Sequence, residues 1–358
     1  MCGVTAYIGY KSISSNTIKS TLNALNHRGP DASGFAKYKF GNRNLLLIHN
    51  RLKIIDLSKN ANQPFLSNSS TLIYNGEIYN YLELKQELLS LGHSFFSKSD
   101  TEVVSHSLQE WGTDAFKKFE GMWSLVWFDK RNKRVVISRD RFGEKPLFYF
   151  KTSEGIYFSS EIKGLFAISE KKDDFNLTKI KEYLMCGYKS LHKNNQTFFK
   201  NIKEFPKAKM LIIDEKGNKI EREYWSKKFK GENNFSIKEN AEIIKNLIIN
   251  SVKLRLRSDV PLAFCLSSGV DSNSLISIAK KIFNYDVQGF SIDSIDKRYS
   301  ERPLMEKVLG EENIDCIYVK TSKNNFLNKL SKIIEQHDSP LSTISYYLHW
   351  NLLEKISE

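Results

Sequence analysis

The 358-residue chain carries 54 Lys and Arg against 41 Asp and Glu, a net charge of +13 at pH 7, and is 41% hydrophobic. It has no run of about 18 apolar residues, which excludes a transmembrane helix, and its opening residues lack the basic flank and apolar core of a secretory signal. Cys2, Cys186, Cys265 and Cys316 lack CxxC spacing, which argues against a disulfide framework or a zinc site. The basic excess is spread as lysine over amphipathic segments with no block of five like charges, and so reads as solvated surface rather than a nucleic-acid interface. A cytoplasmic chain of about two domains, with no membrane or nucleic-acid partner, is the expectation.

Along the first 165 residues, "LLLIHNRLKIIDL", "STLIYNGEIYN", "GMWSLVWFD", "RVVISRD" and "LFYFKTSEGIYFSS" read as strands. "YNYLELKQELLSLGH" reads as an amphipathic helix stopped at Gly92, and "TEVVSHSLQEWG" as another closed by Gly112. Strands with interspersed helices point to a layered α+β domain. The polar stretch "SEKKDDFNLTK" reads as a linker, and "KMLIIDEKGNKIEREYW" as a hairpin turning at Glu215–Asn218. From about residue 235 helix alternates with strand. "SIKENAEIIKNLIINSVKLRL" is a helix, "PLAFCLSSG" a strand entering a small-residue loop, "VDSNSLISIAKKIF" a helix, "DVQGFSID" and "CIYVKTS" strands, and "KNNFLNKLSKIIEQH" a helix. That order predicts a parallel, doubly wound α/β domain.

Cysteine directly after the initiator Met raises a chemical question. If Met1 is removed, Cys2 carries a thiol and a free α-amine together, and a neutral amine beside a thiol is a nucleophile with its own base. A cysteine near a frayed end is the plainer alternative. Attack on an amide also needs an oxyanion site and a grip on the substrate's charges. Asn75 and Gly76, in "LIYNGEIYN", offer a side-chain amide and a backbone N–H, although Asn-Gly is also the strongest hairpin signal. Arg51 offers a fork for an α-carboxylate, or a structural ion pair. Asp100 offers a partner for an α-ammonium, or a cap for the helix that follows it. Together the four fit an amino acid with a side-chain amide, glutamine being the obvious one.

In the second half, "LSSGVDS" joins a strand to a helix. Ser267, Ser268, Gly269 and Ser272 can turn N–H groups and hydroxyls toward phosphate oxygens at the helix start. Asp271 is odd in a phosphate cradle unless a Mg2+ ion is shared. The loop is not the GxxxxGK[ST] type, and a plain strand-to-helix turn is the alternative.

"MCGVTAYIG", "LNHRGPDASG", "HNRLKIIDLS", "NQPF", "LIYNGEIYN", "SDTEVV", "GMWSLVWFD", "RDRFGEKPLFY" and "FSSEIKGL", in that order, resemble the class II glutamine amidotransferase domain of glutamine-hydrolysing asparagine synthetases. The resemblance implies an N-terminal-nucleophile hydrolase sandwich (αββα) over residues 2–190, a connecting segment over 191–234, and the first part of an ATP-pyrophosphatase-type α/β synthetase domain over 235–358. It implies Cys2 as nucleophile with its own α-amine as base, Asn75 and Gly76 as oxyanion hole, and Arg51 and Asp100 on the charged end of glutamine. Ile54 and Ile55 would line that pocket by their backbone, with Glu77 nearby, and Arg28, Gly29, Pro30 and Asp31 would shape a neighbouring loop. "LSSGVDS" resembles the family's SGGxDS pyrophosphate loop, with Ser268 in place of its first glycine. Leu266 would contact the nucleotide, Gln288 would fall where a strand reads adenine, and Asp271 would hold Mg2+. "YSERPLMEKV" is similar to a Tyr-Asp-Glu segment with Ser300 replacing Asp, and in "HDSPLSTISYYL" Asp338 and Pro340 match an Asp-x-Pro segment.

The activity implied is glutamine hydrolysis feeding ammonia, through the protein interior, to an aspartate activated by ATP as the β-aspartyl adenylate. The products are asparagine, AMP, pyrophosphate and glutamate, and a homodimer is implied by analogy. The family's Ser-Gly-Glu-Gly-x-Asp-Glu motif falls beyond residue 358, so the chain reads as C-terminally truncated against that pattern. Three alternatives stay open at this stage: an amide ligase for another carboxylate, a glutaminase alone, and a non-catalytic homologue.

Overall fold

The computed structural model describes residues 1–187, 194–228, 231, 235–294 and 296–358. Two compact units divide the chain, Met1–Phe229 and Lys230–Glu358. The boundaries expected at 190/191 and at 234 fall on residues outside the described ones.

The first unit runs β1 (Gly3–Gly9), α1 (Ser15–Ala24), β2 (Ala32–Phe40), β3 (Arg43–Arg51), β4 (Phe65–Leu66), β5 (Ser70–Ile78), α2 (Tyr81–Ser90), α3 (Asp100–Trp111) and α4 (Ala115–Lys118). It continues with β6 (Gly121–Asp129), β7 (Arg134–Arg139), β8 (Phe148–Thr152), β9 (Gly155–Ser159), α5 (Ile162–Ser169), α6 (Leu177–Cys186), β10 (Ile202–Glu204), β11 (Lys209–Asp214) and β12 (Lys219–Glu223). Two six-stranded sheets result, ordered β10-β8-β9-β1-β3-β2 and β12-β11-β7-β6-β5-β4. Alternate residues of both, among them Val4, Ala6, Leu47, Ile73, Val126 and Ile137, meet in one apolar layer between the sheets. On the outer face of the first sheet Tyr7, Ile48 and Tyr157 pack with Ile18 of α1 and Leu165 of α5. On the outer face of the second, Tyr74, Trp123 and Trp127 pack with Leu84 and Leu88 of α2 and Val104 and Leu108 of α3. Helix, sheet, sheet, helix is the αββα order of an N-terminal-nucleophile hydrolase.

Local chemistry explains where elements stop. Gly92 and Gly112, just past the ends of α2 and α3, take positive φ (92° and 56°), which glycine adopts without a Cβ penalty. The hairpin of β11 and β12 turns at Gly217 (φ 90°) with Asn218 N donating to Asp214 Oδ1 at 2.8 Å. Differences from the sequence expectation have physical causes. "LLLIHNRLKIIDL" is not one strand: β3 ends at Arg51, because that guanidinium donates to the carbonyls of Ile55, Asp56 and Ser58 and curls residues 52–58 into a loop. The stretch read as a linker ends in the first turn of α6, whose N-cap Asn176 accepts from Lys179 N. The segment read as a connector contributes β10 to one sheet and β11 and β12 to the other.

The second unit has α7 (Ile237–Arg255), β13 (Ala263–Leu266), α8 (Val270–Lys281), β14 (Gln288–Asp293), α9 (Arg302–Glu312), β15 (Cys316–Lys320), α10 (Phe326–His337) and α11 (Ser345–Ser357). The three strands are parallel in the order β13-β14-β15. α8 packs on β13 and α7, and α11 lies against β14, β15 and α10. Ser236 and Glu239 close a capping box at the start of α7. Among the described residues no helix is long and apolar enough to cross a membrane.

One carboxylate anchors a loop of the first unit. Fully buried Asp140 accepts from the N–H groups of Phe142 (3.0 Å), Gly143 (2.6 Å), Glu144 (2.9 Å), Lys145 (3.0 Å) and Trp123 (3.3 Å). Asp140→Ala leaves several of these donors unanswered, at an expected cost of about 3 kcal/mol or more. Urea unfolding should show a lower midpoint at unchanged slope, whereas an unmoved midpoint would show the carboxylate to be dispensable.

Candidate active site

Gly3 pairs with Asn50 at the start of the β1–β3 ladder, and this sets Cys2 against the residue that follows β3. Leu52 N donates to Cys2 Sγ at 3.4 Å, and Sγ lies 3.6 Å from Leu52 O. Arg28 Nε donates to Cys2 O at 2.9 Å, while its Nη1 binds Glu161 at 2.7 Å. Cys2 thus opens onto a cavity of about 530 Å3, mouth included, lined also by Met1, Arg51, Ile54, Ile55, Gln63, Tyr74, Asn75, Gly76, Glu77, Asp100 and Lys145. The structure therefore brings together every first-half residue expected at the site.

Asn75 and Gly76 are not a turn. They sit inside β5, opposite Ser124 and Trp123 of β6. A Cβ at Gly76 would run into the Met122 carbonyl and the Tyr74 ring and come within 2.8 Å of Trp123 Cα, so only glycine fits. Asn75 is buried, and its Nδ2 has no hydrogen-bond partner among the described residues. A buried donor left open costs free energy unless a ligand answers it. On a residue that lines the cavity beside the thiol, it is suited to an oxyanion.

Asp100 begins α3 but does not cap it; Ser99 does, accepting from Thr101 N at 3.1 Å. Asp100 Oδ2 accepts from Tyr74 Oη at 3.0 Å and Ile78 N at 3.1 Å. Burial raises its pKa against those hydrogen bonds. Burial, then the nearby Asp100 charge, also raises half-buried Glu77. Arg51 spends its guanidinium on its own loop, with Nη1 on Ser58 O (2.7 Å) and Asn62 Oδ1 (2.8 Å), so it shapes the cavity wall as well as charging it. Asp56 ties that loop to the next, accepting from Ser58 N and from Lys98 N. Asp31 accepts from Lys53 N, placing the 28–31 loop on the far side of residues 52–53. Below the cavity His49, pushed by burial down to about 3 and so neutral, links β3 to the Tyr74 carbonyl of β5.

Electrostatics decide what the thiol can do. Burial pushes the Cys2 thiol up, opposed by the Leu52 N–H and by the nearby chain terminus. A raised thiol needs a base to become a nucleophile. The terminal amine beside it, that of Met1 here, is pulled by burial from 8.0 to about 6, and Arg28 and Lys145 push it the same way. Lys145, Gln63 and Tyr74 are lining residues to which sequence reasoning gave no role. The first two lie in "RDRFGEKPLFY" and "NQPF", so their motifs were visible while their direction was not.

In the second unit, Ser267, Ser268 and Gly269 form the loop between β13 and α8, and Asp271 and Ser272 lie in the first turn of α8. Ser272 Oγ lies 3.2 Å from both Ser267 N and Ser267 Oγ, and Ser268 N donates to Glu301 Oε2 at 2.6 Å. No side chain caps α8 at Gly269, which leaves its first N–H groups facing outward for an anion. An open cleft of about 1240 Å3 adjoins the loop, lined among others by Leu266, Ser267, Ser291, Glu301 and His349. Gln288 is elsewhere. It opens β14 opposite Ala263, about 10 Å along the strands from the loop, and Ser291 and Ile292 occupy the β14 positions at the cleft. Among the described residues no cluster of three or more His, Cys, Asp or Glu could hold a metal by itself. Exposed Asp271 is a donor suited only to a cation shared with a ligand's phosphates.

Comparisons with known proteins agree with this division. A glutamine amidotransferase domain model matches residues 1–225, and an asparagine synthase model matches residues 244–358. A protein provisionally named glutamine-hydrolysing asparagine synthetase 2, of Methanocaldococcus jannaschii, is 30% identical over 99% of this chain and 71% of its own length. Glutamine-hydrolysing asparagine synthetase 1 of Bacillus subtilis is 30% identical over 91% of this chain and 50% of its own. "Amidase chry2" of Gibberella zeae is 26% identical over 79% of this chain and 43% of its own. The chain thus spans between about four-tenths and seven-tenths of these relatives' length. It belongs to the asparagine synthetase family, with a glutamine amidotransferase domain followed by part of a synthetase domain.

Proposed function

We propose that the first unit hydrolyses glutamine at Cys2 and that the second belongs to a synthetase making asparagine from aspartate and ATP. The observation that carries the first half is the buried, unpartnered amide of Asn75, a residue in the lining of the cavity that holds the Cys2 thiol. After Met1 is removed, the Cys2 α-amine takes the thiol proton. Sulfur then bonds to the side-chain carbonyl carbon of glutamine, with the oxyanion on Asn75 Nδ2 and Gly76 N. The amine returns the proton to the departing nitrogen as the C–N bond breaks, releasing ammonia. Water next cleaves the thioester, giving glutamate and regenerating the thiol. Asp100 and Arg51 hold the substrate's ammonium and carboxylate, the 54–55 backbone lines its stem, and Glu77 sits beside the scissile end.

In the second unit the aspartate side-chain carboxylate attacks the α-phosphorus of ATP and pyrophosphate leaves. Ammonia then displaces AMP, giving asparagine. The 267–272 loop would cradle the pyrophosphate end, and Mg2+ held with Asp271 would neutralise phosphate charge. Use of ATP and the free cysteines favour the cytoplasm as its compartment. A second reading, another carboxylate as acceptor, is kept because relatives named amidases share the same stretch.

Three outcomes are expected. The 358-residue chain releases glutamate from glutamine, Cys2→Ala abolishes release, and Asn75→Ala lowers kcat by about 10^2–10^3. Glutamate release that survives Cys2→Ala would sink the reading. Because the base must be neutral, kcat/KM should fall toward acid pH as the Cys2 α-amine, a group that ordinarily titrates at about 8, takes up a proton; a profile flat from pH 8 down to pH 5 contradicts an amine base. Ser272→Ala should weaken ATP binding about tenfold or more by calorimetry, and an unchanged Kd would remove the loop from the nucleotide site.

A further inference from the structure

The ladder that holds β1 begins at Gly3, so Cys2 stands one residue outside it. A chain of polar contacts reaches Cys2 from the end of β9. Just past that strand Ser160 brackets Val4, its Oγ accepting from Val4 N at 3.0 Å and its N donating to Val4 O at 2.9 Å. The next residue, Glu161, sets its carboxylate among three basic side chains: Arg28 Nη1 at 2.7 Å, Lys163 Nζ at 2.6 Å and His27 Nε2 at 3.0 Å. Arg28 Nε in turn donates to Cys2 O at 2.9 Å. Arg28 is buried, and Glu161 is the one carboxylate paired with it among the described residues. A buried guanidinium without its partner is strongly disfavoured, so Glu161 decides where Arg28 sits. Gly29 lets this loop lie on β3, since a Cβ there would come within 2.4 Å of the Asn50 carbonyl. All of these contacts are on the carbonyl side of Cys2, so they persist when Met1 is removed.

We propose that Glu161 is a positioning residue of the glutamine site: by holding the Arg28 guanidinium it fixes the peptide plane after Cys2, and with it the direction in which the thiol and the α-amine point. The proposal rests on the reading of Cys2 as nucleophile. Glu161 is not among the residues that line the cavity, so it acts through Arg28 and not on the substrate. A nucleophile displaced by about 1 Å loses about a hundredfold in rate, while the grip of Arg51 and Asp100 on glutamine is untouched. The loss therefore falls on kcat and not on KM. Burial works against the Glu161 charge, but His27, Lys163 and Arg28 outweigh it and hold the carboxyl down to about 2, so the clamp is ionised throughout the neutral range.

The test is kcat and KM for glutamine hydrolysis from pH 6 to 9 in the parent chain, Glu161→Gln, Arg28→Met and the double variant, with Cys2→Ala as control. Glu161→Gln keeps the shape of the side chain and removes its charge. It should lower kcat about tenfold to a hundredfold with KM unchanged, by the same factor at each pH. Arg28→Met should lose a similar factor, and the double variant no more than either, because all three break the same contact. A parent kcat in Glu161→Gln or in Arg28→Met, losses that multiply in the double variant, or a loss carried by KM overturns the proposal and leaves the Cys2 reading intact. Arg28→Met keeps Glu161 paired with His27 and Lys163, and the double variant has no guanidinium left unpaired, so the comparison stands even where Glu161→Gln does not fold. Hydrolysis that persists in Cys2→Ala, or is absent from the parent, overturns the Cys2 reading itself and this proposal with it.

Discussion

The antiparallel ladder that joins β1 to β3, from Gly3 against Asn50 to Gly9 against Asn44, fixes the start of the chain in the middle of a sheet. Chain ends usually fray because nothing holds their backbone. Here β1 is buried along its whole length and pairs with β9 on its other edge, so the residue before it has little freedom. Cys2 inherits that order, and Arg28 takes up its carbonyl. The rest of the site is arranged around this point: the loop after β3 meets the sulfur, β5 crosses with Asn75 and Gly76, and α3 delivers Asp100 from the layer behind. The close approach of β5 to β6 at Gly76 lets the second sheet's backbone reach that cavity.

Electrostatics in this cavity are collective. Burial raises the thiol, Glu77 and Asp100, and it lowers Lys145 and the amine, so each group is pushed toward its neutral form. A site that disfavours every charge favours whatever neutralises them, whether an incoming zwitterion or internal proton transfer. The second unit is built on the opposite principle, with an exposed loop, open amides and a carboxylate resting on one of them.

The sequence was informative where one residue type admits one physical explanation. Long apolar runs such as "SLVWFD" and "RVVIS" can be satisfied only as buried strands, and Gly92 and Gly112 mark helix ends because few other residues adopt those backbone angles. Cys2, Asn75, Gly76 and Asp100 were legible as a set, although each alone had an ordinary alternative, and the alternatives for Asn75, Gly76 and Asp100 failed for tertiary reasons. The Asn-Gly pair is straight because β6 pairs alongside it, and Asp100 is free of capping duty because Ser99 does that work. Other features could not be read locally. No strand is evident over β1, β2 or β10 because their burial comes from distant partners. The loop at 52–58 follows from where a guanidinium finds its carbonyls. Lysine ordinarily reads as surface, and only the clamp around Asp140 turns Lys145 inward.

The place of Met1 at the cavity has a practical side. The first residue lines the cavity, its amine is desolvated, and there is no slack between it and β1. Any purification handle fused ahead of it would leave the thiol without a free amine on its own carbon. Handles, fluorophores and surface tethers therefore belong at the other end of the chain, or on exposed loops such as that around Asn132.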